Sequence, residues 1–218
     1  LRNLSMINSR IKYRRTQTGV GVLIPAGAML GANYHLQIAT EETVARILEW
    51  FARGRAFEWY MDVVRNPTPG QRKIIATAMR YAPAHLLQGV REQRRHNLVP
   101  ALLRNTLATL ISGSDVTPTF KANYIALGDG TAVPAAADTV LGNETLRGMF
   151  DDRSAENHVA LLNKFFTSAD VGGNTYQEAG IFVDGTASAD TGYLLSRVLL
   201  EVELAATETL TVNTTISV

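Results

Sequence analysis

Asp151, Asp152, Glu156 and His158 form the densest run of possible hard-metal ligands in the chain. Such groups hold a cation only when they converge from fixed positions, and their spacing is not that of an EF-hand loop. Interspersed Arg, Ser and Asn make the run read as a solvated loop, so no metal is expected. Asp129, between Gly128 and Gly130, reads as a turn residue before a ligand. His35, His85, His96 and His158 are dispersed, and there is no His-Glu-x-x-His, Gly-x-Ser-x-Gly or Walker lysine. Gly19-Val20-Gly21 lacks the Lys-Ser/Thr pair of a phosphate loop. The expectation is a protein that is not an enzyme, with no catalytic residue, no cofactor and no small-molecule substrate.

Arg72, Lys73, Arg80, Arg91, Arg94, Arg95 and Arg104 are the second group with chemical potential. A basic patch is what a nucleic-acid face needs, and Trp50, Trp59 or Tyr81 could stack bases. Charge alone carries no specificity, and no helix-turn-helix, RNA-binding or OB pattern accompanies it. Nucleic acid is therefore the alternative, not the expected partner. The charges also divide by position. Residues 1–116 hold 16 Lys and Arg against 7 Asp and Glu, a net of +9, and residues 117–218 hold 5 against 13, a net of −8. This split suggests head-to-tail contact between copies, with Arg91, Arg94 and Arg95 facing Asp151, Asp152 and Glu156 of a neighbour.

The elements that must position these residues fall into three segments. Residues 1–39 read as an extended, partly glycine-rich N-terminal arm that lies on a neighbouring chain. Residues 40–116 read as a helical domain. Thr40 is a good N-cap, with Glu41 and Glu42 in the first turn, and Val44, Ile47, Leu48 and Phe51 share a face. Phe57–Val64, Gln71–Tyr81, Ala84–Arg95 and a segment from Pro100 to Ile111 follow as helices. A boundary is expected at Gly113-Ser114-Asp115.

Residues 117–218 read as an antiparallel β domain. Its last ten residues alternate Leu210, Val212, Thr214, Ile216 and Val218 with Thr209, Thr211, Asn213, Thr215 and Ser217. That is a half-buried strand with its hydroxyl face turned outward. Ala205 to Glu208 is expected to close a hairpin onto it, and Gly180 marks a bulge or a close approach. Gly128-Asp129-Gly130 is read as a tight reversal using positive φ. The class is α+β: an N-terminal arm and short helices, then a sandwich-like antiparallel unit.

With 46% apolar residues the chain can bury a core, and with no cysteine it has neither disulfides nor thiolate metal sites. The apolar run Gly19–Ala32 is too short to span a bilayer and contains Pro25. The chain begins at Leu1, which implies processing, truncation or a missing start.

The segments YIALGDGTAVPAAADTVLGNETLR, TYQEAGIF, YLLSRVLLEVEL and ETLTVNTTISV, in that order, resemble the β domain of tailed-phage tail-collar and tail-fibre proteins. The resemblance covers about residues 120–218. It implies a non-enzymatic virion protein, assembled in the host cytoplasm, whose partners are copies of itself and other virion proteins. A place in the tail follows, in baseplate, collar or fibre attachment. A head decoration or head-tail adaptor protein is the structural alternative. Glu144, Arg147 and Glu178 match the charged positions of that family; a buried or half-buried pair between strand and loop would fix the register, and a surface pair without consequence is the equal alternative.

Overall fold

The computed structural model describes residues 31–98, 120–156 and 159–217. The class is α+β, with two antiparallel sheets. Residues 1–30 of the expected arm, the segment from Pro100 to Ile111, the Gly113 boundary, Arg104 and His158 lie outside the described residues.

The first described element is β1, Gly31–Thr40. Its residues Ala32, Tyr34, Leu36 and Ile38 alternate with Asn33, His35 and Gln37, so one face can be buried throughout. Thr40 then caps α1, Glu41–Ala52, accepting from the Thr43 N–H. A second helix, α2, spans Phe57–Arg65. The third, α3 (Pro69–Tyr81), opens on a capping box between Thr68 and Gln71 with a proline in its first turn. Val44, Ile47 and Leu48 of α1, Tyr60 and Val64 of α2, and Ile75 and Met79 of α3 pack together over Phe165, which is fully buried.

After α3 the chain departs from expectation. Only Ala84–Leu86 forms a helical turn, and Arg91–Leu98 is strand β2, paired antiparallel to β1. Gly89 takes φ 84°, which helps close the turn before the strand. The charged residues of β2 have good helix propensity, but pairing with β1 overrides it. A charged strand is also well suited to a sheet edge.

The second half supplies β3 (Ala122–Gly128), β4 (Glu144–Met149), β5 (Asp152–Glu156) and β6 (Val159–Phe166). A short helix α4 (Ser168–Val171) precedes β7 (Thr175–Val183), β8 (Tyr193–Glu203) and β9 (Glu208–Ser217). One sheet has the order β2-β1-β9-β6-β5 and the other β4-β3-β7-β8. Leu36, Leu162, Phe166, Leu210 and Val212 of the first sheet meet Ile125, Leu127, Ile181 and Val198 of the second in a shared core. The helices cover the opposite face of the five-stranded sheet, giving three layers.

Three expectations are corrected by this topology. Strands from residues 31–40 and 91–98 complete the sheet containing β9, so divisions at 39/40 and 116/117 do not separate a helical from a β unit. The hydroxyl face of β9 is not solvated: Thr209 and Thr211 are fully buried and Asn213 nearly so. Residues 205–208 do turn the chain, but they carry it from β8 in one sheet to β9 in the other, a corner and not a hairpin.

Candidate functional site

The densest polar construction lies where the segment from Gly128 to Glu144 returns to the four-stranded sheet. Glu178 on β7 is fully buried, opposite Gly128 of β3. Its carboxylate accepts four hydrogen bonds: from the N–H of Gly130 at 3.1 Å, Gly142 at 3.0 Å and Asn143 at 2.8 Å, and from Arg197 Nε at 2.7 Å. Arg197, on β8, also donates to Asp138 at 2.7 Å and to the Ala132 carbonyl at 3.0 Å. Asp138 in turn accepts from the Ala135 N–H at 2.8 Å. Two buried charges thus fix both ends and the middle of one loop.

The glycines matter here for close approach. Neither Gly128 nor Gly130 has positive φ, and the reversal is not tight, since residues 129–143 intervene before β4. A Cβ at Gly130 would collide with Glu178 Oε1, and one at Gly128 with the Asn143 carbonyl. Gly180 is likewise a close approach, since a Cβ there would lie 2.8 Å from Leu141 Cδ2.

Burial disfavours the charged form of Arg197, but hydrogen bonds and attraction to Asp138 and Glu178 outweigh it and hold its pKa above the usual arginine value. Asp138 is held below the usual carboxylate range: burial opposes this, and the Ala135 N–H and Arg197 prevail. A carboxylate with four donors in place is organised to clamp the chain.

Glu144 and Arg147 make a second buried pair. Arg147 donates to both carboxylate oxygens of Glu144, at 2.6 and 2.7 Å, and lies 4.2 Å over the Phe182 ring. It also donates to the Thr191 carbonyl at 2.8 Å, while Glu144 accepts from the Asp190 N–H. A second loop, residues 184–192, is thereby tied to the same sheet. Together these contacts leave residues 131–140 as a fixed projection of mostly small apolar residues, with Val133 79% exposed.

The chain matches no protein-family model, no curated protein and no solved structure in the three comparisons.

The two expected interface sets do not lie as the sequence suggests. Arg91, Arg94 and Arg95 are on strand β2, not on a helix. Arg91 pairs with Glu208 at 2.6 Å, Arg95 with Glu201 at 3.5 Å and Arg94 with Glu92 at 3.5 Å. On the acidic side, the described residues of the set do not lie on an exposed loop. Asp151 is buried, pairs with Lys164 at 3.0 Å and accepts from the Phe165 N–H at 2.7 Å. Its burial raises its pKa despite Lys164. Asp152 and Glu156 bound strand β5, and Asp152 pairs with Lys73 at 2.8 Å. Among the described residues, no three His, Asp or Glu side chains are grouped to hold a metal.

The basic residues of the helices are also engaged within the chain. Arg72 donates to Asp170 and to the Phe165 carbonyl, and Lys73 reaches β5. Arg80 is half-buried, and burial lowers its pKa. The +9 and −8 halves therefore neutralise each other in part within one chain.

Sequence reasoning missed Arg197, Asp138 and Lys164. For Arg197 a signal exists: a lone arginine inside the apolar run YLLSRVLLEVEL must find a buried partner or break the strand.

Proposed function

We propose that this chain is a non-enzymatic structural component of a tailed-phage virion, acting in the tail through protein–protein assembly. Its place there is the baseplate, the collar or the fibre attachment. One observation carries the reading. The charged residues in the resembling segments, Glu144, Arg147 and Glu178, are buried, and they are spent on fixing two loops against a four-stranded sheet. A protein that acts by presenting a shape to neighbours needs loops held in this way, because pre-organisation removes an ordering cost from each contact. The small-residue segment at 131–140, exposed over most of its length, is available for such use.

A head decoration or head-tail adaptor protein would share this chemistry and differ in position. Nucleic-acid binding through the helices has less support, because Arg72 and Lys73 are committed to Asp170 and Asp152. The test is to locate the chain in an image of the particle that contains it, by labelling or by fitting. Density at the tail supports the proposal, and density on the head shell overturns it. Salt-dependent retention on DNA by the isolated chain would favour the nucleic-acid alternative.

A further inference from the structure

We propose that the helical layer, residues 41–90, is a lid that swings off the five-stranded sheet as one body while both sheets stay folded. Topology supplies the hinge. Strands β1 and β2 are neighbours, with Ile38 paired to Arg91, and everything from α1 to Val90 is an excursion between them. The chain leaves the sheet and returns to it at adjacent points, which sets both joints on one line. At the return, Gly89 takes φ 84°, and a Cβ there would meet nothing within 4 Å, so this joint has room to turn.

The cores divide along the same line. Among the described residues, the sandwich core between the two sheets contains no residue of α1, α2 or α3. Those helices have a core of their own, built on residues such as Val44, Ile47, Tyr60 and Ile75. To it the sheet contributes Ala39 and Phe165. Units that share few apolar contacts open separately from one another, below the cost of global unfolding.

The seam between lid and sheet is polar. Around Phe165 the sheet meets the helices with Gln37, Asn163, Thr209, Thr211 and Asn213, all buried. Asn163 Oδ1, Thr211 Oγ1 and Asn213 Oδ1 have no hydrogen-bond partner among the described residues. A buried polar atom without a partner is costly, and opening returns all three to water. A face of this composition tolerates solvent, which an apolar sheet face does not.

Polar ties hold the lid shut away from the hinge. Arg72 donates to Asp170 at 3.0 Å and to the Phe165 carbonyl at 3.1 Å, Lys73 pairs with Asp152 at 2.8 Å, and Gln37 donates to the Met79 carbonyl at 3.5 Å. Both ion pairs are partly exposed, so they form a latch that can break and remake. The contacts of Glu41 with Thr207 and Ser168 lie at the hinge itself, beside the pairing of Thr40 with Glu208, and need not break.

The chain has no native cysteine, and β9 offers two adjacent positions on opposite faces. Thr211, fully buried, lies under the helices between Gln37 and Phe165, and Val212, also fully buried, belongs to the sandwich core. Thr211→Cys and Val212→Cys are made singly in the full chain and treated with a thiol reagent in native buffer. Each labelling rate is compared with that variant's own global unfolding, measured in urea. The expected result is labelling of Thr211→Cys at least roughly tenfold faster than its global unfolding permits, with Val212→Cys held to the global rate. Adding Lys73→Met, which breaks one arm of the latch, should speed labelling of Thr211→Cys by a further factor of roughly two to five. In the unmodified chain, amides of α1, α2 and α3 should exchange through one shared opening, faster than those of Ile125 and Leu127.

Labelling of both positions at the global rate would overturn the proposal. Helix amides that exchange independently of one another would mean fraying and not a lid, and would overturn it too. Loss of protection in β1 together with the helices would show that the sheet opens with them, which is equally fatal to a lid hinged on that strand.

Discussion

Replacing Glu178 by Gln tests whether the buried clamp holds this fold together. The substitution keeps the shape and removes the charge. Oε1 accepts from Gly130 and Asn143, and Oε2 from Gly142 and Arg197, so an amide NH₂ in either place faces two donors. Two hydrogen bonds are lost, and Arg197 keeps only Asp138 as a charged partner. Glu178 and Arg197 side chains are 0% and 5% exposed, so solvent cannot replace what is removed. Breaking a buried pair from one side costs about 3–5 kcal/mol. Followed by circular dichroism in urea, with a slope of about 2 kcal/mol per M, the midpoint should fall by roughly 1.5–2.5 M. Amides of Gly130, Gly142 and Asn143 should lose exchange protection together. Adding Arg197→Met should cost less than the sum of the two single changes, because both act on one network. A Glu178→Gln midpoint within about 0.5 M of the parent would refute the reasoning, since that is about 1 kcal/mol at the same slope.

Other outcomes follow from the same geometry. Gly130→Ala pushes a methyl group into Glu178 and should cost about 1–3 kcal/mol, with faster proteolysis in residues 131–140 as the readout. Asp138 has its folded pKa held below its unfolded value near 3.9, so its contribution is present above that value and lost as pH falls through the folded pKa. Asp138→Asn should flatten the decline of the urea midpoint between about pH 5 and pH 2 relative to the parent. The comparison must be with the parent, because Asp151 has its pKa raised and contributes with the opposite sign. Reversing Arg91, Arg94 and Arg95 to Glu together should lower the melting temperature of the isolated chain as well as weaken association, because Arg91 and Arg95 face Glu208 and Glu201 of the same chain. Unchanged melting would mean that those pairs contribute nothing to the fold.

Local chemistry made much of this protein legible without coordinates. Thr40 with Glu41 and Glu42 specifies a helix start through groups within four residues of one another, so the sequence contains both halves of the contact; Thr68 with Gln71 does the same two residues before the expected start of its helix at Gln71. The alternation from Thr209 to Ser217 specifies a strand in the same way. Of the candidate site, Glu144, Arg147 and Glu178 could be singled out in the sequence as charges that a buried pair or a surface pair would equally explain; that they are buried, and their partners, could not be read there.

Only the tertiary structure decided the rest. Strand β1 reads as part of an arm until β9, more than 160 residues later in the chain, pairs with it from Gly31 to Thr40. The charges of β2 are tolerable in a strand because it lies at a sheet edge, and edge position is a property of the whole sheet. The threonine face of β9 looks solvated until the helices are packed on it. Glu178 gathers its donors from Gly130, Gly142, Asn143 and Arg197, residues 19 to 48 positions away along the chain. A side chain's type fixes which bonds it can make, but which donors reach a buried carboxylate depends on strand order and register, and those are set by long-range pairing.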